Sequence, residues 1–367
     1  MNSNFESGKD PGIGRVLRDD IHQIRITRDF SQEMRELKQF YIDEEKKKRL
    51  QQMGMFSRWI HQVLWILKSM FLKLTPFRRL LVLVGLIFLI TGSTISVNNE
   101  DRSANNNGLV GGAIILVVLM LELKDKLLAK DELEAGRKLQ QALLPEQSPS
   151  VNGWSLWLFT RSANEVGGDL VDYIKVDENK TGVVIADVAG KGLKAALLMA
   201  KLQATVRALS PDYDSLSKLG SKVHEIFYRD SLPGLFASMI YAEIIPGTGK
   251  LKFINAGHLP PLLIKSDSIS EMQKGEPALG LMSKFDYTEN LLQLQQGEIF
   301  FAYSDGLTEA QNEYGDFFGT ERIKRILPQL KHLGAVGIGQ AVVGEVDRFV
   351  GNASRFDDLS LVILKKL

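Results

Sequence analysis

The stretch "LLVLVGLIFLITGSTISV", residues 80–97, runs for 18 residues without a charged side chain. As a helix rising about 1.5 Å per residue, it approaches the roughly 30 Å of a bilayer's hydrocarbon layer. A second apolar run, "GLVGGAIILVVLML" at 108–121, follows the polar link "NNEDRSANNN". Two such runs so close together predict a transmembrane hairpin over 80–121; the other reading is a helical pair buried in a soluble core. Lys68, Lys73, Arg78 and Arg79 precede the first run, Lys124, Lys126 and Lys130 follow the second, and the link carries only Arg102. By the positive-inside bias both ends lie on the cytoplasmic side, which predicts a multi-pass protein of the inner (cytoplasmic) membrane.

The segments around the hairpin carry their own patterns. Residues 55–74 place apolar side chains, two Trp among them, at helical spacing, with Arg58, Lys68 and Lys73 opposite. That pattern predicts an amphipathic helix in the membrane interface. Residues 1–54 are polar and charged, with "DEEKKKRL" near their end, and read as solvated helices or a tail. Residues 122–148 are rich in strong helix formers with mixed charge, up to Pro145. They predict a helical linker that leaves the membrane and pairs with a second copy.

From 149 to 367 the chain reads as one soluble domain. "WSLWLFTRSA", "LVDYIKV", "TGVVIADV", "PPLLIKS", "LLQLQ", "EIFFAYSD" and "LSLVILKK" predict strands, and "FASMIYAEIIPGTGKLKFINAG" predicts a hairpin. "LKAALLMAKLQATVRAL" and "LSKLGSKVHEIFYRD" predict two consecutive helices. Hairpin-linked strands with paired helices indicate an α+β sandwich, not a doubly wound sheet. The 45 basic residues nearly equal the 44 acidic ones, for a net charge of +1, so no global charge draws the chain to nucleic acid. The chain has no cysteine, which removes disulfides, thiolate zinc sites and cysteine nucleophiles.

Acidic residues recur where strands meet loops. Asp169 follows two glycines, Asp187 ends a buried strand and opens "DVAGKG", Asp305 ends "IFFAYSDG", and Asp357 and Asp358 open the last strand. Each taken singly reads as a turn or strand cap. Taken together they read as a converging cluster, in which carboxylates are unstable unless protonated, paired or bound to a cation. Oxygen-only ligation suits Mg2+ or Mn2+, and two such ions about 3.5–4 Å apart can activate water beside a phosphoryl group.

The motifs "VGGDLVDY", "VVIADVAGKGLKAALLMA", "NAGHLPPLL", "YSDGLTEAQNEYGDFFG" and "DDLSLVIL", preceded by "LQQALLPEQSP", resemble the bacterial PPM (PP2C-like) serine/threonine phosphatases of the RsbU/SpoIIE type. The resemblance spans residues 136–367. It implies an α-β-β-α sandwich with two ions, Mn2+ or Mg2+, at the sheet edge, and hydrolysis of phosphoserine or phosphothreonine by metal-activated water. By position, Asp187 matches the bridging ligand and Val188 offers its carbonyl, while Asp305 and Asp357 match further ligands. Asp169 matches the acidic residue at the first metal and its waters, and the resemblance so assigns the catalytic role to Asp169 and Asp187. Asp172, Asp358, His258 as a general acid, and Arg161 are further candidates. Arg161 enters because eukaryotic relatives grip phosphate with an Arg where this chain has Asn164. The implied partners are a phosphorylated protein substrate of the STAS-domain anti-sigma-factor antagonist class, and a second copy joined through the linker and the helix after Asp187. Two alternatives stand beside this reading: a membrane-anchored nucleotidyl cyclase, and a non-catalytic binding module ordered by metals.

Overall fold

The computed structural model describes Leu50 and residues 53–92, 107–145, 148–230, 234–266, 268–353 and 357–367. The expected charged region 1–54, apart from Leu50, Met53 and Gly54, and the link between the apolar runs lie outside the described residues. The chain divides into two compact units, Met1–Lys126 and Leu127–Leu367.

The first unit contains α1 (Met55–Lys73), α2 (Pro76–Gly92) and the start of α3 (Asn107–Leu143). Pro76 opens α2, where its missing N–H costs no hydrogen bond. The backbones of α2 and α3 touch: a Cβ on Gly111 would stand 2.6 Å from the Gly85 carbonyl oxygen. Small residues permit such an approach between helices in lipid. Arg78 closes the pair through Glu122 and Asp125, each at 2.7 Å. Leu83, Leu86, Ile87, Ile90, Leu116, Leu119 and Met120 point outward from the pair. Among the described residues one helix, α3, is long and apolar enough to cross a membrane, and only 11% of its most apolar stretch is buried. α2 is described over 17 residues. The span expected to end at 121 and the linker expected from 122 lie on one helix, since α3 runs unbroken through both. No proline interrupts it, and "ELKDKLLAKDELEAGRKLQQAL" is composed almost wholly of helix formers.

The second unit holds two five-stranded antiparallel sheets. Along the chain the strands are β1 (Trp154–Arg161), β2 (Asp169–Lys175), β3 (Thr181–Val188), β4 (Ala237–Ile244), β5 (Lys250–Ala256), β6 (Leu262–Ile264), β7 (Ile269–Glu271), β8 (Asn290–Gln293), β9 (Ile299–Tyr303) and β10 (Leu359–Lys366). One sheet has the order β1-β10-β9-β6-β7 and the other β2-β3-β4-β5-β8. Helices α4 (Leu193–Leu209) and α5 (Leu216–Asp230) cover the second sheet. After the single-turn α6 (Asp305–Thr308), α7 (Thr320–Leu330) and α8 (Ala335–Val350) cover the first. The layers are therefore α-β-β-α.

Two-residue periodicity assigns each strand residue to a layer. In β3, Val183 and Ile185 enter the core between the sheets, while Val184, Ala186 and Val188 meet α4 and α5. In β10, Val362 and Leu364 face between the sheets, and Leu361 and Ile363 face α7 and α8. Burial on both faces explains why these strands read as continuous apolar runs. On α4 the buried residues Ala195, Met199, Leu202 and Val206 follow helical spacing. Sequence patterning did not find β7, α7 or α8. Glycines at 337, 339 and 344 obscure the helical signal of α8.

Gly339 lies under the Trp157 ring, which stacks on Phe159 with centroids 4.9 Å apart. A Cβ there would collide with the ring. Gly339→Ala is expected to destabilise the sandwich by about 1–3 kcal/mol, as overpacking does; urea unfolding of the variant beside the parent protein measures it.

Candidate active site

The strand period that fills the inter-sheet core carries on past its apolar part. The period that places Val171, Ile185 and Ile240 between the sheets also places Asp169, Asp187 and Ser238 on that face. Register sets Asp169 opposite Asp187, and Asp187 opposite Ser238. From the other sheet, the parity of Ala302 and Val362 brings Ser304 and Ser360 to the same end, with Ser360 opposite Thr160. One end of an apolar interior is thus polar.

Burial there raises the Asp169 pKa well above the usual carboxylate range, Asp187 adds to the rise, and the Ser360 and Ser304 hydroxyls oppose it. Asp169 Oδ2 is buried without a hydrogen-bond partner. Burial, then the charges of Asp305, Asp357 and Asp358, push Asp187 up to about 7. Asp305 is raised by burial and next by Asp357. Those two segments lie back to back, since a Cβ on Gly306 would collide with the Asp358 carbonyl oxygen. The Ser304 hydroxyl donates to that same oxygen at 3.0 Å, and the Ser304 N–H donates to the Ser360 carbonyl at 3.0 Å. Four separated segments therefore bring carboxylates into one field. Among the described residues, no three of them are already gathered at coordination distance around one point. The Asp357 carboxylate pairs with the Lys191 ammonium at 3.0 Å.

The donor set fits a hard divalent cation. Its donors are all oxygen, and one buried carboxylate oxygen has no partner. A Cβ on Gly168 would stand 3.0 Å from the Val188 carbonyl oxygen and 3.7 Å from Asp187 Oδ1. Glycine at that position leaves open the approach between the "GGD" loop, a main-chain oxygen and a carboxylate.

The further candidates have other partners. Asp358 binds backbone: its oxygens accept from the N–H groups of Ala163 at 2.8 Å, Gly168 at 2.7 Å and Asp169 at 3.4 Å. It shapes the loop that carries Asp169. Asp172 lies on the helix side of β2, buried, where Arg207 donates two hydrogen bonds at 2.7 Å and Gln203 donates one at 2.9 Å. Its carboxylate is committed to that network, which corrects its candidacy as a ligand. Arg161 forms a two-pronged pair with Asp347 at 2.7 and 3.0 Å, which corrects its candidacy as a phosphate grip. His258 is buried; its Nδ1 accepts from Ser238 Oγ at 2.8 Å, and its Nε2–H donates to the Tyr303 carbonyl at 3.1 Å. Burial lowers its pKa to about 4, against the pull of the Tyr303 carbonyl. A neutral imidazole whose one N–H is already donated holds no proton for a leaving group, and the general-acid candidacy of His258 is corrected. Sequence reasoning missed Ser304 and Ser360; their two-residue spacing from apolar core positions was the available signal.

His258 generates a pH prediction. Its folded pKa of about 4 lies below the ordinary 6.5, so between those values the unfolded chain binds a proton that the folded chain refuses. Its contribution is complete above about pH 6.5 and falls as pH drops toward about 4. Asp187 acts in the opposite sense, because its raised pKa of about 7 stabilises at low pH and that contribution is lost as pH rises through 7. Moving from pH 7 to pH 5 is expected to remove about 2 kcal/mol through His258. His258→Gln should flatten that part of the profile, which urea unfolding at the two pH values measures.

The family model described as "Stage II sporulation protein E (SpoIIE)" matches residues 177–366, more than half of the chain. The protein IcfG of Synechocystis sp. is 26% identical over 305 residues, covering 73% of this chain and 47% of that protein. The phosphoserine phosphatase RsbP of Bacillus subtilis is 29% identical over 192 residues, covering 50% of this chain and 47% of that protein. The chain thus spans about half the length of these curated relatives. The SiaA-PP2C domain of Pseudomonas aeruginosa superposes with a TM-score of 0.58 at 20% identity, covering 66% of this chain and 98% of that one. The PP2C phosphatase domain of SpoIIE from Bacillus subtilis, with a fragment of its regulatory domain, superposes at 0.50 and 17% identity, covering 60% of this chain and 64% of that one. At those identities the likeness is one of fold, and it agrees with the two sheets between helix pairs seen here. This chain belongs to the SpoIIE family and has its PP2C-like α+β fold.

Proposed function

We propose that this chain is a metal-dependent protein serine/threonine phosphatase held at a membrane. The observation that carries this reading is the convergence of Asp169, Asp187, Asp305 and Asp357 at one end of the inter-sheet layer, beside the opening that Gly168 leaves to the Val188 carbonyl. Those four carboxylates and that carbonyl would hold two Mn2+ or Mg2+ ions. When bound, the ions would supply a water nucleophilic at neutral pH and neutralise charge on the phosphoryl oxygens. The name of the relative RsbP, a phosphoserine phosphatase, supports the substrate class.

The chain's own groups have distinct tasks in this reading. Asp187 lies in the field of three other carboxylates, Asp305, Asp357 and Asp358. Asp358 fixes the loop before Asp169 through three backbone N–H groups. Lys191 sets a cation beside Asp357 at the mouth of the cluster. Arg161 is bound to Asp347, so affinity for the phosphoryl group rests on the ions, and specificity on protein docking. The partner proposed is a phosphorylated STAS-type anti-sigma-factor antagonist, with a second copy of the chain joined through α3 and α4. Family membership removes the ground for the nucleotidyl cyclase alternative.

The membrane part of the proposal rests on α2 and α3 as a two-span hairpin in the cytoplasmic membrane. Their glycine contact and their outward-facing leucines and isoleucines support it. The protein is then expected to float with vesicles and to resist extraction at high pH; recovery in the soluble fraction would remove the anchor.

Manganese-dependent phosphate release from a phosphoserine protein tests the activity. Asp187→Asn and Asp305→Asn are each expected to lower the rate more than about 100-fold, beyond the usual cost of losing a group behind a metal ligand. Asp172→Asn should retain the rate while losing about 1–3 kcal/mol of stability. A binding module, by contrast, would show no turnover in the parent protein and would keep its partner after Asp187→Asn.

A further inference from the structure

We propose that residues 310–318 form a docking arm that selects a phosphoprotein substrate with a basic, apolar surface beside its phosphoserine. The proposal rests on the phosphatase reading and names what the substrate carries around its phosphate. The arm grows out of the acidic cluster. α6 opens at Asp305, and the Glu309 N–H closes it on the Asp305 carbonyl at 2.7 Å. Glu309 adds to the rise of the Asp305 pKa, after burial and Asp357. The chain then leaves as a hairpin, with Gln311 bridged to Phe317 and the Phe318 N–H on the Ala310 carbonyl at 2.9 Å. Gly315 turns the tip at a φ of 87°, a region that favours glycine. Asn312 stiffens that tip. Its Oδ1 accepts from the N–H groups of Tyr314 at 3.0 Å and Asp316 at 2.9 Å, and its Nδ2 donates to Asp316 Oδ2 at 3.0 Å. From Ala310 to Tyr314 the arm reaches at most about 13 Å.

Tyr314 is 91% exposed and Phe317 55%, whereas Phe318 is buried and roots the arm. A lone exposed aromatic is ordinary, but here two stand on a turn already held in shape. Such a turn loses little freedom on binding, and tyrosine is among the side chains that most often anchor an interface. The charge on the arm has one sign. Residues 309–321, "EAQNEYGDFFGTE", hold four acidic side chains and no lysine or arginine. Arg322, the next residue, lies over the Phe349 ring at 4.2 Å, at the root. A cleft joins the arm to the cluster. It has a volume of about 500 Å3 and is lined by Ala163, Asp347, Val350, Gly351 and Ala353. On the cluster side, the Ala163 N–H donates to Asp358 at 2.8 Å. On the arm side, a Cβ on Gly351 would stand 3.9 Å from Glu313 Oε1. A substrate with its phosphoryl group at the cluster and its flanking chain along the cleft therefore sets its next surface on Glu313, Tyr314 and Phe317. An acidic arm with aromatic tips takes arginine or lysine beside apolar side chains and repels an acidic flank.

The test uses the full chain in detergent micelles and two phosphoserine peptides of about 20 residues, long enough at about 3.3 Å per residue to pass from the cluster to the arm. One peptide carries arginine and leucine on both flanks, and in the other glutamate replaces each arginine. The variants are Tyr314→Ala and Glu313→Lys. Glu178→Lys makes the same change of charge in the exposed turn between β2 and β3, at the far end of those strands from Asp169 and Asp187, and is the control. The first readout is peptide binding by fluorescence anisotropy without added cation. The second is KM and kcat for phosphate release at saturating Mn2+. The parent is expected to bind the arginine peptide about 10-fold more tightly than the glutamate peptide. Tyr314→Ala should weaken binding of the arginine peptide about 10-fold, the scale of losing an interfacial anchor, and its loss in turnover should fall on KM. Glu313→Lys should erase most of the preference, and Glu178→Lys should keep it. A parent that binds both peptides equally overturns the proposal, even where phosphate is released. So does a Tyr314→Ala protein that binds the arginine peptide as the parent does or loses only kcat, and so does an equal loss of preference in Glu178→Lys. If Tyr314→Ala does not fold, an unchanged preference in Glu313→Lys overturns the proposal instead. If no form of the protein releases phosphate while Tyr314→Ala still weakens binding of the arginine peptide, the phosphatase reading fails and the arm stands as a binding surface.

Discussion

Carboxylates that repel one another are held together at one end of this sandwich, and the surrounding structure is arranged around that repulsion. Asp169 and Asp187 are register partners on neighbouring strands, a placement that like charges disfavour. Asp305 and Asp357 approach from the opposite sheet on segments packed back to back through Gly306. The fold meets the cost in three ways. Serine hydroxyls favour the charged form of Asp169, a lysine faces Asp357, and Asp358 spends its own charge on backbone N–H groups. What remains uncompensated holds Asp169 well above the usual carboxylate range and displaces Asp187 to about 7. A strongly displaced carboxylate at the rim of such a layer makes it a candidate functional site.

The core explains why the site stays rigid. The layer between the sheets is apolar from Val171 and Ile185 across to Phe300 and Val362, with helices sealing both outer faces. Asp169 and Asp187 continue β2 and β3 by a single period, so ladder hydrogen bonds extending into that core set their backbone positions, while Asp305 follows β9 and Asp357 precedes β10. The "GGD" loop is the exception. Its two glycines lie outside the ladders and are held by side chains, Asp358 from one side and Gln140 from the other.

Much of the architecture was legible from periodicity. The strands around "TGVVIADV" and "LSLVILKK" and the helix "LKAALLMAKLQATVRAL" stand where their patterns place them. The final pair of helices was not legible, because glycines in α8 and an internal proline in α7 weaken the helical signal. Their burial against β1, β9 and β10 supplies the stability that local propensity lacks. The expected span and the expected linker share the single helix α3. A change from apolar to charged side chains alters what surrounds a helix without altering its backbone.

Sequence alone determined which residue types could serve: oxygen donors in place of thiolates, and acidic groups beside glycines at strand ends. It could not decide which of them meet. Asp172 and His258 carry the same chemistry as their neighbours and fall within the same motifs. Asp172 lies an odd number of residues from Asp169 in one strand and so faces the helices, where Arg207 claims it. His258 is drawn beneath Ser238 and the Tyr303 carbonyl. The choice depends on strand parity combined with sheet pairing, and the pairing joins residues as far apart as Thr160 and Ser360. Contacts over such separations are made by burial and by hydrogen bonding across the fold, which no local stretch of the chain encodes.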